Sequence, residues 1–238
     1  MQIAFSDSVK HLALALPGST RVFEKFGIDY CCGGERSLAE ACARARVEPN
    51  FIVGKLAQLE QTPLPTVNWV EAPLTRLIEH ILNKHHVFTR AELTRLETLF
   101  VKVCAKHGAF QPALLKAEAL LQALRDELLP HMQKEERVLF PYVKQAEEAV
   151  SIGRPLPIAP FGTVQNPVRM MMREHDTAGE MLREMRRLTN GYALPDEACA
   201  SWRALYQGLQ ELEADLHEHI HLENNVLFPR ALTLEAKA

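Results

Sequence analysis

The chain predicts an all-α protein, an up-down four-helix bundle preceded by a small helical domain. Two observations carry this. Apolar residues recur at helical spacing over four long stretches. A short run of sequence also occurs twice: His131-Met-Gln-Lys-Glu135-Glu-Arg-Val-Leu-Phe140-Pro141 matches His219-Ile-His-Leu-Glu223-Asn-Asn-Val-Leu-Phe228-Pro229. A further histidine precedes each copy, His86 by 45 residues and His175 by 44. The repeated unit is therefore a His, a helix hairpin, then His-x-x-x-Glu. Two hairpins make a four-helix bundle, an architecture that builds metal sites from inward-facing side chains.

Residues 1–60 read as the small domain. One helix runs from about Ser6 to Leu16 and stops at Pro17-Gly18; another runs from about Thr20 to Gly27. Asp29-Tyr30-Cys31-Cys32-Gly33-Gly34 is a turn, since paired glycines leave no stable helix. Ser37 is a good N-cap with Glu40 three residues on, and Leu38, Ala41, Cys42 and Ala45 follow at helical spacing. A short fourth helix spans about Pro49 to Glu60. Residues 61–72, with the Pro-containing run 62–66, read as a linker to the bundle at 73–238.

The first bundle helix starts near Pro73 and carries Ile78, Leu82, His86, Leu93, Leu96 and Phe100 on one stripe. His107-Gly108 ends it. The second begins near Pro112 and turns Leu121, Leu124, Leu128, His131, Glu135 and Leu139 inward. Pro130 falls inside it and is expected to kink it. After a Pro-rich crossing, Pro167 opens the third helix, with Met171, His175, Ala178 and Leu182 inward and Asn190-Gly191 as its stop. The fourth begins after Pro195-Asp196 and carries Leu205, Leu212, Leu216, His219, Glu223 and Leu227. Every singled-out His lies on an apolar stripe, and four buried imidazoles without a task would be a costly core.

Composition narrows the function classes. Apolar residues make up 47% and charged residues 24%, the balance of an ordinary globule. A net charge of −3 gives no electrostatic reason to expect nucleic acid or an anionic membrane as partner. No apolar run has membrane-spanning length, and Leu12–Leu16 is too short for an export leader. The five cysteines are unevenly spaced and do not form a disulfide framework. A reducing cytoplasm is the expected location.

A His and a Glu at i, i+4 share one helix face. Facing copies would gather His86, His131, His175 and His219 with Glu135 and Glu223 around one point. Four imidazoles and two carboxylates suit iron. With each Glu bridging, two ions each gain two His and two carboxylate oxygens, and a position stays open for a small ligand such as O₂ or NO. Closed zinc sites and all-oxygen calcium sites lack this character. Two rival patterns exist in the fourth helix. Glu218-x-x-His221 fits the ferritin-like order but has no repeat. His217-Glu218-x-x-His221 satisfies the zinc-protease pattern, yet the first copy has Leu129 and Gln133 at those positions, so the repeat selects His219. His217, His221, His80, His85 and His107 are then expected on the surface.

Glu127 and Asp215 stand four residues before His131 and His219, where each is expected to accept the second ring N–H of its ligand. Glu174, beside His175, is expected near the access path. Cys31-Cys32 is the second chemical feature: the glycines are expected to expose the pair and the next helix N-terminus to lower its pKa, so that it binds iron, takes an NO group or passes electrons. Cys42, Cys104 and Cys199 read as buried small residues.

The chain resembles the iron–sulfur cluster repair di-iron proteins, the repair of iron centres family of the YtfE/ScdA type. The residues that carry this are Gly27-Ile-Asp-Tyr-Cys-Cys-Gly-Gly34, Met172-Arg-Glu-His-Asp176 with Ala178-Gly179, and the run His219–Pro229. The resemblance implies a hemerythrin-like bundle holding two non-haem iron ions, oxo- and carboxylate-bridged, on His86, His131, Glu135, His175, His219 and Glu223. It implies damaged iron–sulfur proteins as partners, NO or O₂ as small ligands, and repair by iron delivery, NO chemistry or both. A homodimer is left open as an assembly state, as is enzymatic activity of the di-iron centre itself. The competing reading is a hemerythrin-like module that binds or senses O₂ or NO and repairs nothing.

Overall fold

The computed structural model describes residues 3–16, 18–59 and 67–236; the linker run 62–66 and Pro17 lie outside them. Among the described residues every regular element is helical. They form two compact units, Met1–Pro73 with His217–Pro229, and Leu74–Leu216 with Arg230–Ala238.

The small unit contains α1 (Val9–Ala15), α2 (Ser19–Lys25), α3 (Leu38–Ala45) and α4 (Pro49–Leu59). Ser8 caps α1 by accepting the His11 N–H. Ser37 and Glu40 form a reciprocal capping box on α3, as the spacing predicts. Val9, Leu12, Phe23, Leu38, Cys42, Ile52 and Leu56 are fully buried in one core.

The remaining helices form four rods. The rods are α5 (Leu74–His80) continuing into α6 (Val87–His107), α7 (Pro112–Lys134) into α8 (Phe140–Ser151), α9 (Gln165–Leu188), and α10 (Ala200–Leu222), whose helix runs on into α11 (Phe228–Ala236). All four rods feed one core, among them Phe100, Leu121, Leu182 and Leu205. Burying one such side chain contributes about 1.5–3 kcal/mol. Pro130 lies inside α7, which runs through it unbroken. Helix α9 starts two residues before Pro167, and its C-terminal turn uses left-handed Asn190 and Gly191, with φ of 51° and 68°.

Three of the four rods are interrupted by a π-helical turn: Ile81–His86, Glu135–Leu139 and Glu223–Leu227. A π turn holds an extra residue and shifts the helical phase of the residues beyond it. In the first rod this corrects the expected stripe. Ile81 is fully buried instead of Leu82, which is half-buried, and His85 and His86 are both buried in the widened turn. In the two repeat copies Pro141 and Pro229 stand second in α8 and α11, just past the turn. A helical proline donates no bond to the carbonyl four residues back. Those carbonyls belong to Arg137 and Asn225, inside the π turns, where the ladder is already rearranged.

Candidate metal centre

The π turns coincide with the residues the repeat singles out. His86 closes the first turn, Glu135 opens the second and Glu223 opens the third. His86, His131, Glu135, His175, His219 and Glu223 are all buried, none more than 2% exposed. His131 and Glu135 lie one turn apart, Nε2 to Oε2 3.4 Å; His219 and Glu223 repeat this, Nε2 to Oε1 3.0 Å. Glu135 Oε2 also stands 3.5 Å from His86 Nε2. His131 and His175 approach through their Nε2 atoms at 3.0 Å.

Ligand-type atoms gather in two groups of four, each within 4.8 Å of one another. One is His86, Glu135, His219 and Glu223; the other is His131, Glu135, His175 and Glu223. Both carboxylates belong to both groups. Two carboxylates in a buried site are expensive as bare anions. A cation compensates them, and imidazole nitrogens with carboxylate oxygens are the donor set a transition metal prefers. The residues therefore fit a metal.

The outward ring nitrogens are held by carboxylates. Glu136 Oε1 lies 2.7 Å from His86 Nδ1 and also takes the Arg90 guanidinium at 2.9 Å. Glu174 Oε2 lies 2.7 Å from His131 Nδ1 and pairs with Lys134. The His131 bond holds the Glu174 carboxyl at about 2, with Lys134 assisting against desolvation. An imidazole that donates Nδ1–H in this way presents Nε2 as a lone pair, ready for a metal.

These partners differ from those expected. Glu127 is exposed on α7, and His131 is served from the neighbouring rod by Glu174. Glu174 is thus a hydrogen-bond partner of His131. Asp215 meets His85 Nδ1 at 3.0 Å. Glu136 is a partner that spacing does not reveal, because the second copy has Asn224 at that position. Adjacency to Glu135 is its only signal in the sequence.

Two of the five histidines expected on the surface, His85 and His221, are buried, and the other three are half-buried. His85 is fully buried with Asp215, since the π turn brings two successive residues inward. His221 is 4% exposed in the small unit, and burial pushes it down to about 4. Its ring lies 5.4 Å from Tyr30, and its Nδ1 is 2.8 Å from Asn225 Nδ2. His217 pairs with Glu24 at 2.7 Å. His80 and His107 are half-buried; His107 packs on Trp202. Neither His217 nor His221 stands in either group of ligand atoms.

The Cys31-Cys32 turn is tighter than expected. Cys31 is 6% exposed and Cys32 half-buried. The hydrogen bond with Cys32, and then burial, raise the Cys31 thiol well above its ordinary value, opposite to the expected lowering. Asp29 Oδ1 accepts the backbone N–H groups of Cys31, Cys32 and Gly33 at 3.2, 3.1 and 2.9 Å. A Cβ on Gly33 would strike the Arg36 guanidinium and come within 2.8 Å of Asp29, and one on Gly34 would lie 2.6 Å from the Tyr30 carbonyl. The glycines serve close packing more than exposure. Of the remaining cysteines only Cys42 is buried; Cys104 and Cys199 are half-buried.

Sequence comparison agrees with this geometry. The profile of the hemerythrin HHE cation binding domain matches residues 77–231. That of ScdA_N, described as a domain of unknown function, matches residues 6–60. Fold and site thus define a hemerythrin-class, cation-binding helical bundle with an N-terminal ScdA-type segment. The iron-sulfur cluster repair protein YtfE of Cronobacter sakazakii is 43% identical over 235 residues, covering 98% of this chain and all of that protein. The proteins of that name from Escherichia coli O1:K1 and Citrobacter koseri are 41% identical over 225 residues, covering 94% of this chain and 96% of theirs. The chain belongs to this YtfE family. No described helix is long and apolar enough to cross a membrane.

Proposed function

We propose that this chain is a cytoplasmic non-haem di-iron protein that restores iron–sulfur clusters damaged by nitrosative or oxidative stress, by delivering iron, by nitric oxide chemistry, or by both. In this reading His86 and His219 would hold one ion and His131 and His175 the other, with Glu135 and Glu223 available to both. The observation that carries it is the sharing of both carboxylates by two groups that differ only in their histidines. Iron held this way supplies a redox-active centre open to a small ligand such as NO or O₂.

The chain's own residues set the conditions. Glu136 and Glu174 fix the tautomers of His86 and His131. The π turns present His86, Glu135 and Glu223 from a locally widened helix. The cellular task is supported by the name shared by relatives that match nearly end to end. In this reading the partners are damaged iron–sulfur proteins, and Cys31 and Cys32 take part in exchange of iron, NO or electrons.

The test is purified protein in a reconstituted assay with an NO-damaged aconitase. Two irons per chain with recovery of the cluster enzyme support the proposal. Iron binding without recovery moves the assignment to a module that binds or senses O₂ or NO. Zinc alone, under iron-replete expression, sinks the di-iron reading.

A further inference from the structure

The two thiols of the Cys31-Cys32 turn are neighbours in sequence but not equivalent in space. Cys31 is buried beneath the turn and Cys32 is half-buried at its surface. Neither is in a disulfide, and their Sγ atoms are 3.8 Å apart. Cys31 Sγ is 3.5 Å from Asp29 Oδ1, the same oxygen that gathers three backbone N–H groups. Gly34 is packed too closely on the Tyr30 carbonyl, 2.6 Å from where a Cβ would stand, to admit a side chain, so the turn is a built arrangement.

We infer that the turn is an asymmetric dithiol that reduces small exposed disulfides, with Cys32 as the entering thiol and Cys31 as the resolving one. The substrate class is a disulfide of low-molecular-weight thiols. Cys32 Sγ, as thiolate, attacks one sulfur of the disulfide. That S–S bond breaks, the first small thiolate leaves and takes up the proton lost by Cys32, and a mixed disulfide remains on Cys32. Cys31 Sγ, oriented by Asp29, then attacks Cys32 Sγ. The mixed S–S bond breaks, and the second small thiol departs with the Cys31 proton. Two electrons pass from the dithiol to the disulfide, which becomes two thiols.

The depth difference decides the order: only Cys32 has surface to offer an incoming molecule. The resolving step needs the sulfurs of adjacent residues to close from 3.8 Å to about 2.05 Å. A bond between adjacent residues is strained and thus easily reduced, so an excess of the small disulfide drives the turn to its oxidised form and small thiols reset it. This activity does not depend on the metal centre and stands or falls apart from the di-iron proposal.

The experiment exposes the full chain to oxidised glutathione and follows released glutathione and the tryptic peptide Phe26–Arg36, whose cysteines are Cys31 and Cys32. With Cys104 and Cys199 replaced by Ser in every protein compared, the chain with Cys31 and Cys32 intact is expected to release two glutathiones and to show an internal disulfide in that peptide. C31S is expected to release one and to stall with glutathione on Cys32. C32S is expected to react at least roughly tenfold more slowly, because its remaining thiol is buried. D29N is expected to keep the first release and slow the second. Equal rates for C31S and C32S, or an intact Cys31-Cys32 pair that stalls as the mixed disulfide, overturn the assignment. Iron content, measured alongside, is expected to be the same in all four proteins.

Discussion

Glu174 Oε2 lies 2.7 Å from His131 Nδ1, and the two residues come from different rods of the bundle, α9 and α7. Packing between helices, rather than spacing along one, therefore aims the imidazole. Glu136 does the same for His86 across the first and second rods. Replacing either partner by Gln leaves the shape and removes the charge. E174Q and E136Q are each expected to weaken metal binding about 10–100-fold, the usual cost of losing such a partner. E127Q, at an exposed position on α7, is expected to change nothing. Competition with a chelator of known affinity measures all three.

His219 and His221 are two residues apart, and both are buried. H219A is expected to lose at least half of the bound metal, because His219 belongs to a group of ligand atoms. H221A is expected to keep the metal and lower the melting temperature, because His221 packs on Tyr30 and Asn225 in the small unit. H217A is expected to keep the metal as well. Metal analysis alongside thermal melting separates the outcomes; loss of metal from H221A with retention in H219A would restore the protease-like register.

Cys31 and Cys32 lie in the small unit and in neither group of ligand atoms. The double Ser variant is expected to hold the same iron with the same visible spectrum, yet to lower recovery of a damaged aconitase several-fold. Undiminished recovery would remove the turn from the repair task.

Burial pushes the Cys104 thiol up to about 11. The folded state thus favours the neutral thiol. Its contribution is complete below the unfolded value of about 8.5 and is lost as pH rises through the folded one. Tyr142 and Tyr206 are also raised by burial and act in the same alkaline window. Stability is expected to decline between roughly pH 9 and 11, less so in C104A. Urea midpoints across that range test this; an unchanged slope in C104A assigns the decline to the other raised groups, among them Cys31, Cys42 and the tyrosines.

Gly208 in α10 faces the Glu92–Arg95 pair. A Cβ there would strike the Arg95 guanidinium and come within 2.5 Å of Glu92 Oε1 and 2.9 Å of Leu96. Alanine in place of a helical glycine ordinarily stabilises by about 1 kcal/mol. Overpacking costs about 1–3 kcal/mol and is expected to win. G208A should melt lower than wild type in calorimetry.

Four rods, their inward stripes and the six buried His and Glu residues are legible in the sequence because hydrophobic period and an internal repeat are local patterns. The carboxylates behind the imidazoles are not. Glu174 reaches His131 from another helix, and spacing along one helix carries no information about that. Glu136 is hidden by the repeat itself, whose second copy has Asn224. The depths of His85 and Leu82 escape a constant helical period, which has no term for a π turn. The burial of Cys31 escapes too, because paired glycines signal a turn but not whether another side chain fills the space they leave.

The π turn at Glu135–Leu139 makes the second rod one residue longer than an uninterrupted helix would need. Such a surplus is what a single-codon insertion into an ordinary helix leaves behind. Deleting one residue there would let the rod heal into a regular α-helix and rotate everything after it by about 100°. Phe140, which lies against the ring of His86, would swing away with Tyr142 and Val143 while every ligand-type residue remained in the chain. The packing behind His86 is in this sense written in length as well as in residue identity, and a one-residue change of length would undo it without altering any donor atom.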